Sequence, residues 1–266
     1  MIFPKRFTAF ATLVGLVVCH GAYAQINGYI ANPRVFNDNP GSTLTITPPA
    51  PINVNPATIG IQDIYTGAFG GANRHDVLAS GDGGLTAYNF NIDSSFIFTT
   101  RLTLTAGDNS PRKEAGIRMN SPIGDLLFIV NSDAGEIVTF GGPFHLFGKN
   151  STGNGYTPGT SILLGIRQVG GGDGIGGIAT TTEFFIDRGF GIETTGPLPW
   201  TNLERGLPSY QLGVYAQGQS DGGLVVADYI NAIFTDTTLI VPEPSTLSLV
   251  ALGLFGVLGL RRKQQI

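Results

Sequence analysis

The chain has 266 residues, of which 19 are acidic, 15 basic and 39 glycine, and only 13% are charged. Five basic residues lie in the terminal segments, so Gln25 to Pro244 holds ten basic against nineteen acidic residues, a net of −9. A surface of that sign repels phosphate backbones, which excludes nucleic acid as a partner and suits neutral ligands or divalent cations better.

The first 24 residues read as an export signal. Lys5 and Arg6 form a short basic start, Phe7 to Val18 is apolar, and Ala22-Tyr23-Ala24 places small residues at the −3 and −1 positions of a cut between Ala24 and Gln25. A dozen apolar residues are too few to span a bilayer. Cys19 is the only cysteine and lies inside this segment, so the mature chain has no disulfide and no thiolate metal site. Val18 stands where a lipoprotein signal would carry a small residue.

Residues 25–75 are rich in Pro and Asn and are expected to form an irregular or edge-hairpin extension. From residue 76 to 238 the dominant period is two. In "SFIFTTRLTLTA" Phe96, Phe98, Leu102 and Leu104 share one face and Thr99, Arg101, Thr103 and Thr105 the other, as in a half-buried strand. Tyr210, Leu212, Val214 and Ala216 alternate in the same way, and "GGLVVADYINAIF" is apolar enough for a strand buried on both faces. "EAGIRMN", "DLLFIVNS", "EIVTFGG", "SILLGIRQV" and "TTTEFFID" are further strands, separated by Gly-, Asn- and Asp-rich turns. "GIETTGPLPWTNLERGLPS" reads as a long loop. Asp-Gly-Gly-Leu occurs at Asp82 and again at Asp221, which predicts matching turns that lead into strands at the two ends of the domain. Many short strands with almost no helix predict an all-β fold, an antiparallel sandwich or barrel.

The run from "RLTLTAGDNSPRKEAGIRMNSPIGDLLFIVNSDAGEIVTFGG" to "YQLGVYAQGQSDGGLVVADYINAIFTDT" resembles concanavalin A-like lectin/glucanase jelly rolls in its order of strands and turns. The resemblance implies a jelly-roll fold that hosts both carbohydrate binders and glycosidases, so it does not choose between them.

Catalytic patterns are sparse. Glu183 and Asp187 in "EFFID" share a strand face, but four residues put them about 13 Å apart, beyond the roughly 5–9.5 Å that glycosidase carboxylates need. The mature chain keeps two histidines, His75 and His145, without zinc spacing, and His75 beside Arg74 and Asp76 reads as part of a hydrogen-bonded turn. The domain is therefore expected to be non-enzymatic. Candidate sugar platforms are Phe144, Phe147, Tyr156 and Trp200, each of which would otherwise anchor a loop. A structural Ca2+ would draw on Asp173 in "GGGDGIGG" and on Asp82 and Asp221, whose carboxylates and nearby glycine carbonyls suit a hard cation. No other cofactor is expected.

Residues 239–245 form a linker holding Pro242, Glu243 and Pro244. Thr246 to Leu260 has no charge and makes about 22 Å of helix, short for a core of about 30 Å. Arg261, Arg262 and Lys263 open the basic tail 261–266 and hold it on the cytoplasmic side, while the prolines keep the preceding segment extended outside. The order "VPEPST", apolar run, "RRK" resembles the PEP-CTERM sorting signal of Gram-negative bacteria. That resemblance implies an exosortase as partner, transient residence in the inner membrane, cleavage at the tail, and a place at the cell surface or in an exopolysaccharide matrix.

The expected protein is thus an exported surface jelly roll that binds exopolysaccharide. The alternatives are a structural or adhesive protein without glycan affinity, and a glycan hydrolase. Changing Pro242-Glu243-Pro244 to three alanines should leave full-length protein in the membrane fraction, as read by fractionation and intact mass; release at the normal rate would overturn the sorting reading.

Overall fold

The computed structural model describes residues 26–92, 94–121, 124–170, 180–199 and 209–241. These hold fourteen strands: β1 (Gly28–Asn37), β2 (Thr43–Thr47), β3 (Ala57–Ser80), β4 (Phe90–Asn91), β5 (Phe96–Ala106), β6 (Lys113–Ser121), β7 (Gly124–Asn131), β8 (Ile137–Phe140), β9 (His145–Gly148), β10 (Ser161–Val169), β11 (Thr181–Asp187), β12 (Ile192–Thr194), β13 (Leu198–Pro199) and β14 (Ser209–Ile240). A single 3-10 turn, Asn150–Thr152, is the only helical element among the described residues.

All pairings are antiparallel, and they form two layers that share two long strands. The second half of β3 pairs with the first half of β14, from Leu78 opposite Gly213 to Gly70 opposite Asp221. The first half of β3 pairs with the second half of β14, from Ala68 opposite Leu224 to Ala57 opposite Thr237. Between these stretches the register shifts at Asp221/Leu224 and again at Val225/Asp228, and there the ribbon folds over. Gly71 and Gly222 have φ of +115° and +92° at this bend, a conformation that β-branched neighbours would resist. One layer then reads β1–β3–β14–β6–β7–β8–β9 and the other β2–β3–β14–β5–β10–β11–β12.

The core lies between the layers. Period two puts Phe96, Phe98, Leu102 and Leu104 of β5 and Leu212, Val214 and Ala216 of β14 inside, all fully buried. Phe128 of β7 stands edge-on to Phe184 of β11, ring centroids 5.4 Å apart, and packs on Phe147 of β9 at 5.7 Å. Where β9 nears the β11 turn, Arg188 Nη2 donates to the Phe147 carbonyl at 3.2 Å, so the two ends of the ribbon meet.

Several expectations change. Residues 28–75 are not an irregular extension. They supply β1, β2 and most of β3, and β3 runs straight through the expected boundary at residue 76. Tyr29, Ile52, Ile59 and Ile61 of this stretch belong to the main core. The Pro- and Asn-rich composition that suggested irregularity falls partly in the connections and partly inside β1, where Pro33 sits at a break in the register between Asn32 and Phe36. The stretch "GIETTGPLPW" is not a plain loop either, because β12 and β13 pair with β11. In the second half of β14 only one face is buried: Ile230, Ala232 and Phe234 are inside, whereas Ile233 is 40% exposed. The two Asp-Gly-Gly-Leu copies also differ, since the first follows β3 as a turn and the second is the bulge inside β14. Among the described residues no helix is long and apolar enough to cross a membrane, and the expected segment 246–260 lies outside them, as does the expected signal peptide.

Phe184→Ala would open a cavity at the junction of β7, β9 and β11. Denaturant unfolding should show a loss of about 3–5 kcal/mol.

Candidate functional site

The outer face of the β1–β9 layer carries most of the domain's chemistry. The register defines three adjacent rows across it. One runs Asn32, Asp76, Tyr215, Gly116, Ile129, Val138; the next Ile30, Leu78, Gly213, Arg118, Leu127, Phe140; the third Phe36, Arg74, Gln217, Glu114, Asn131. Two glycines at the centre leave the space that the long side chains around them fill.

Two arginines and two aspartates lock together there. Arg74 donates from Nε to Asp76 at 3.3 Å and from Nη1 to Asp125 at 3.1 Å. Arg118 pairs through Nη1 with Asp76 and through Nη2 with both Asp125 oxygens, at 2.8 and 3.0 Å. The Arg74 guanidinium also lies between the rings of Phe36 and Tyr215, 5.6 and 4.7 Å from their centroids. Burial pushes the Asp76 carboxyl up, against the pull of Arg118 and Arg74. Burial likewise raises the Tyr215 phenol well above its usual range, and its hydroxyl donates to Glu114 at 3.0 Å. Arg74 Nη2 and Arg118 Nε are buried with no acceptor among the described residues.

The open margin of this cluster is polar. Asp125 is 26% exposed, Arg118 also donates to Asn120 Oδ1 at 3.1 Å, and Asn120 Nδ2 donates to Gln211 Oε1 at 3.3 Å. Asp125, Asn120 and Gln211 are all partly exposed. They present a carboxylate and two amides side by side, the groups that hydrogen-bond sugar hydroxyls.

A second polar cluster lies between the layers near the bend. His75 sits on β3, not in a turn, and is fully buried. The Arg34 backbone N–H donates to its Nδ1 at 3.1 Å, so the ring proton is on Nε2, which donates to Asp63 Oδ2 at 3.0 Å. Asn73 donates to the same oxygen at 2.9 Å. Burial alone would raise the Asp63 carboxyl, but hydrogen bonds from His75, Asn73 and Ser42 outweigh it and hold it below the ordinary range. This cluster ties the β1–β2 connection to β3, because Arg34 also grips Ser42 and Asn37. Asp63, Asn73 and His75 are sealed from solvent and offer no surface to a ligand.

The sequence candidates fall elsewhere and apart. Phe147 is 8% exposed and part of the core. Tyr156 is 3% exposed; its hydroxyl donates to the Thr160 carbonyl at 2.8 Å and accepts from Leu104 N–H at 2.8 Å, so it pins a loop. Phe144 is 70% exposed in the β8–β9 turn. Trp200 and Asp173 lie outside the described residues, as do Ala24, Gln25, Pro242, Glu243, Pro244, Arg261, Arg262 and Lys263.

Asp82 organises its own turn, accepting from Ser80 Oγ, Leu85 N, Thr86 N and Thr86 Oγ1, which holds its carboxyl far below the usual range. Asp221 pairs opposite Gly70, ten strand residues from Ser80 and so about 30 Å away, and the two cannot share a cation. Among the described residues no three His, Cys, Asp or Glu side chains gather as a metal site. Glu183 pairs with Arg167 and accepts from the Thr194 hydroxyl, while Asp187 accepts from Gly189 and Gly191 N–H groups.

Sequence reasoning missed the arginine–aspartate cluster. Arg74, Asp76, Arg118 and Asp125 were on view, but their meeting depends on β3 lying beside β14.

Comparison with known proteins gives an address and a fold. Residues 241–263 match the PEP-CTERM protein-sorting motif. That motif is the exosortase recognition signal, and it implies export and membrane anchoring through a transmembrane tail before processing. No curated protein matches the sequence. Among solved structures, the alginate lyase from Corynebacterium sp. is similar at 11% identity and a TM-score of 0.49, covering 82% of this chain and 94% of that one. The alginate lyase from Klebsiella pneumoniae is similar at 9% identity and 0.48, over 82% and 96%. The marine PL7 alginate lyase from Zobellia galactanivorans is similar at 9% identity and 0.47, over 82% and 96%. These lyases have a concanavalin A-like jelly-roll fold. They also correct the expectation of a non-enzymatic domain, since each is an enzyme.

The depressed Asp63 carboxyl makes an acid-dependent contribution to stability. It is present above the ordinary carboxylate value of about 4 and is lost as pH falls through the lower folded-state value. Asp63→Asn should cost about 1.5–3 kcal/mol at neutral pH. It should also flatten the acid limb of stability measured by urea unfolding across pH.

Proposed function

We propose that this is an exported protein, delivered to the cell surface through its C-terminal signal, whose domain engages an extracellular polysaccharide on the outer face of the β1–β9 layer. The observation that carries the reading is the half-exposed row of Asp125, Asn120 and Gln211 above Arg118. Carboxylate and amide groups held in fixed positions match the hydroxyl-rich surface of a sugar chain, and the salt bridges beneath hold them still. The sorting motif supports the same setting, because a surface protein meets the cell's own exopolysaccharide first. In this reading the signal peptide is removed between Ala24 and Gln25, and an exosortase cuts near Pro242-Glu243-Pro244 and frees the domain from the inner membrane. The polysaccharide-degrading enzymes among the structural neighbours make chain cleavage part of the same test.

The experiment is affinity electrophoresis of the exported protein through gels containing alginate or a neutral glucan, with polysaccharide chain length followed in the same mixtures. Retardation by at least one polysaccharide is expected. Asn120→Ala and Gln211→Ala should each weaken it about tenfold, roughly the 1.4 kcal/mol of a lost hydrogen bond. Their melting temperatures should not change. Unretarded migration in both gels, with chain length constant, would overturn the proposal.

A further inference from the structure

The buried lysine at the bend is used by nothing described so far. Lys113 opens β6, on the core side of its layer, and is fully buried. Its partner Asp228 lies on β14 beyond the fold in the ribbon, with 9% of its side chain exposed. The two arrive from opposite sides of that fold. Lys113 stands opposite Gly218 on the first half of β14, and Asp228 stands opposite Tyr65 on the second.

The geometry points to an intramolecular isopeptide bond between Lys113 Nζ and Asp228 Cγ.

Each requirement of the condensation has a group in place. Lys113 Nζ is in direct contact with Asp228 Oδ2 and is oriented by the Pro111 carbonyl at 2.9 Å. The other carboxylate oxygen, Oδ1, accepts from two backbone N–H groups, Asp108 and Tyr229, both at 2.8 Å. Two fixed donors on one oxygen polarise the carboxyl carbon and are placed to hold the negative charge of a tetrahedral intermediate. The fully buried Tyr65 stands opposite Asp228, and Gly107 packs against Asp228 Oδ1.

The step balances without a further reactant. The ammonium gives one proton to Oδ2, leaving a neutral amine and a carboxylic acid. The amine nitrogen attacks Cγ, forming the C–N bond and placing negative charge on Oδ1. A second proton passes from nitrogen to Oδ2, the Cγ–Oδ2 bond breaks, and one water leaves. The product amide keeps its carbonyl oxygen on the Asp108 and Tyr229 N–H groups. The bond would join β6 to the far half of β14 and staple the two layers at their shared bend, in a chain whose only cysteine is Cys19.

The test is mass spectrometry of the exported protein after full denaturation, with protease digestion of the same sample. The expected result is a mass one water below the sequence value and a linked peptide pair carrying Lys113 and Asp228. Lys113→Arg keeps the charge but cannot form the bond, so it should show the full mass and two separate peptides. A wild-type protein at full mass would overturn the proposal. So would a water loss without the linked pair, since Asp-Gly sequences can also dehydrate.

Discussion

Everything in this domain depends on the antiparallel pairing of β3 with β14. No other two strands share so long an interface, and each takes part in both layers. A ribbon that folds over itself brings its two halves into register by construction, so the sandwich needs no separate docking of sheets. The demand falls on the bend, where the ladder must break. It does so at the shifts around Asp221–Asp228, with glycines at positive φ on both strands. Backbone groups released there need partners, and the polar residues of the interior gather at that end: Asp63, Asn73 and His75 on β3, Lys113 on β6 and Asp228 on β14.

The same pairing sets the difference between the two faces of the β1–β9 layer. One face meets β5, β10 and β11 and is apolar away from the bend, where Asn73, His75 and Lys113 lie. The other carries ionic side chains at alternate positions of the same strands, and burial there is expensive unless every charge is answered. Arg74 and Arg118 are answered twice each by Asp76 and Asp125. The result is a rigid bed with a polar margin. Such a bed fixes Asn120 and Asp125 before any ligand arrives, which is what the proposed polysaccharide site requires.

How much of this could be read from the sequence follows from range. Alternation is a local signal, so β5, β6, β7, β10 and β11 were legible, as was the inward face of β14 from Tyr210 to Ala216. Pairing is not local. Nothing within "GGANRHDVLAS" announces that Arg74 faces Tyr215, more than a hundred residues on, or that Arg118 reaches the same aspartate. The N-terminal strands were hidden for another reason. Pro40, Pro48 and Pro51 lie in the junctions around β1 and β2 and Pro33 lies at the register break inside β1, and together they mask the short ladders there. His75 was misplaced in a turn because its neighbours Gly70 and Gly71 look like turn residues, when they mark the bend of a long strand. The aromatic candidates failed on burial, which a residue's type does not disclose: Phe147 and Tyr156 lie inside, and Phe144 outside, within one stretch of thirteen residues.

The sorting tail and the domain meet at a single residue, and the meeting point is mechanically sound. The matched motif begins at residue 241, immediately after Ile240 ends β14. The last turn of that strand is clamped from the far end of the chain. Asn55 donates to the Leu239 carbonyl at 2.9 Å and accepts from its N–H at 3.2 Å, and the Tyr29 hydroxyl donates to the Thr237 carbonyl at 3.1 Å. Leu239 is the final buried core residue. A cut beyond residue 241 leaves Leu239 and its clamps, the Ile240–Ile97 pairing and Val241, which packs against the core, in the domain. The clamps on Leu239 hold the end of β14 in the domain whether or not a tail is attached. Separating the address from the fold in this way fits a chain that is anchored in the membrane before processing.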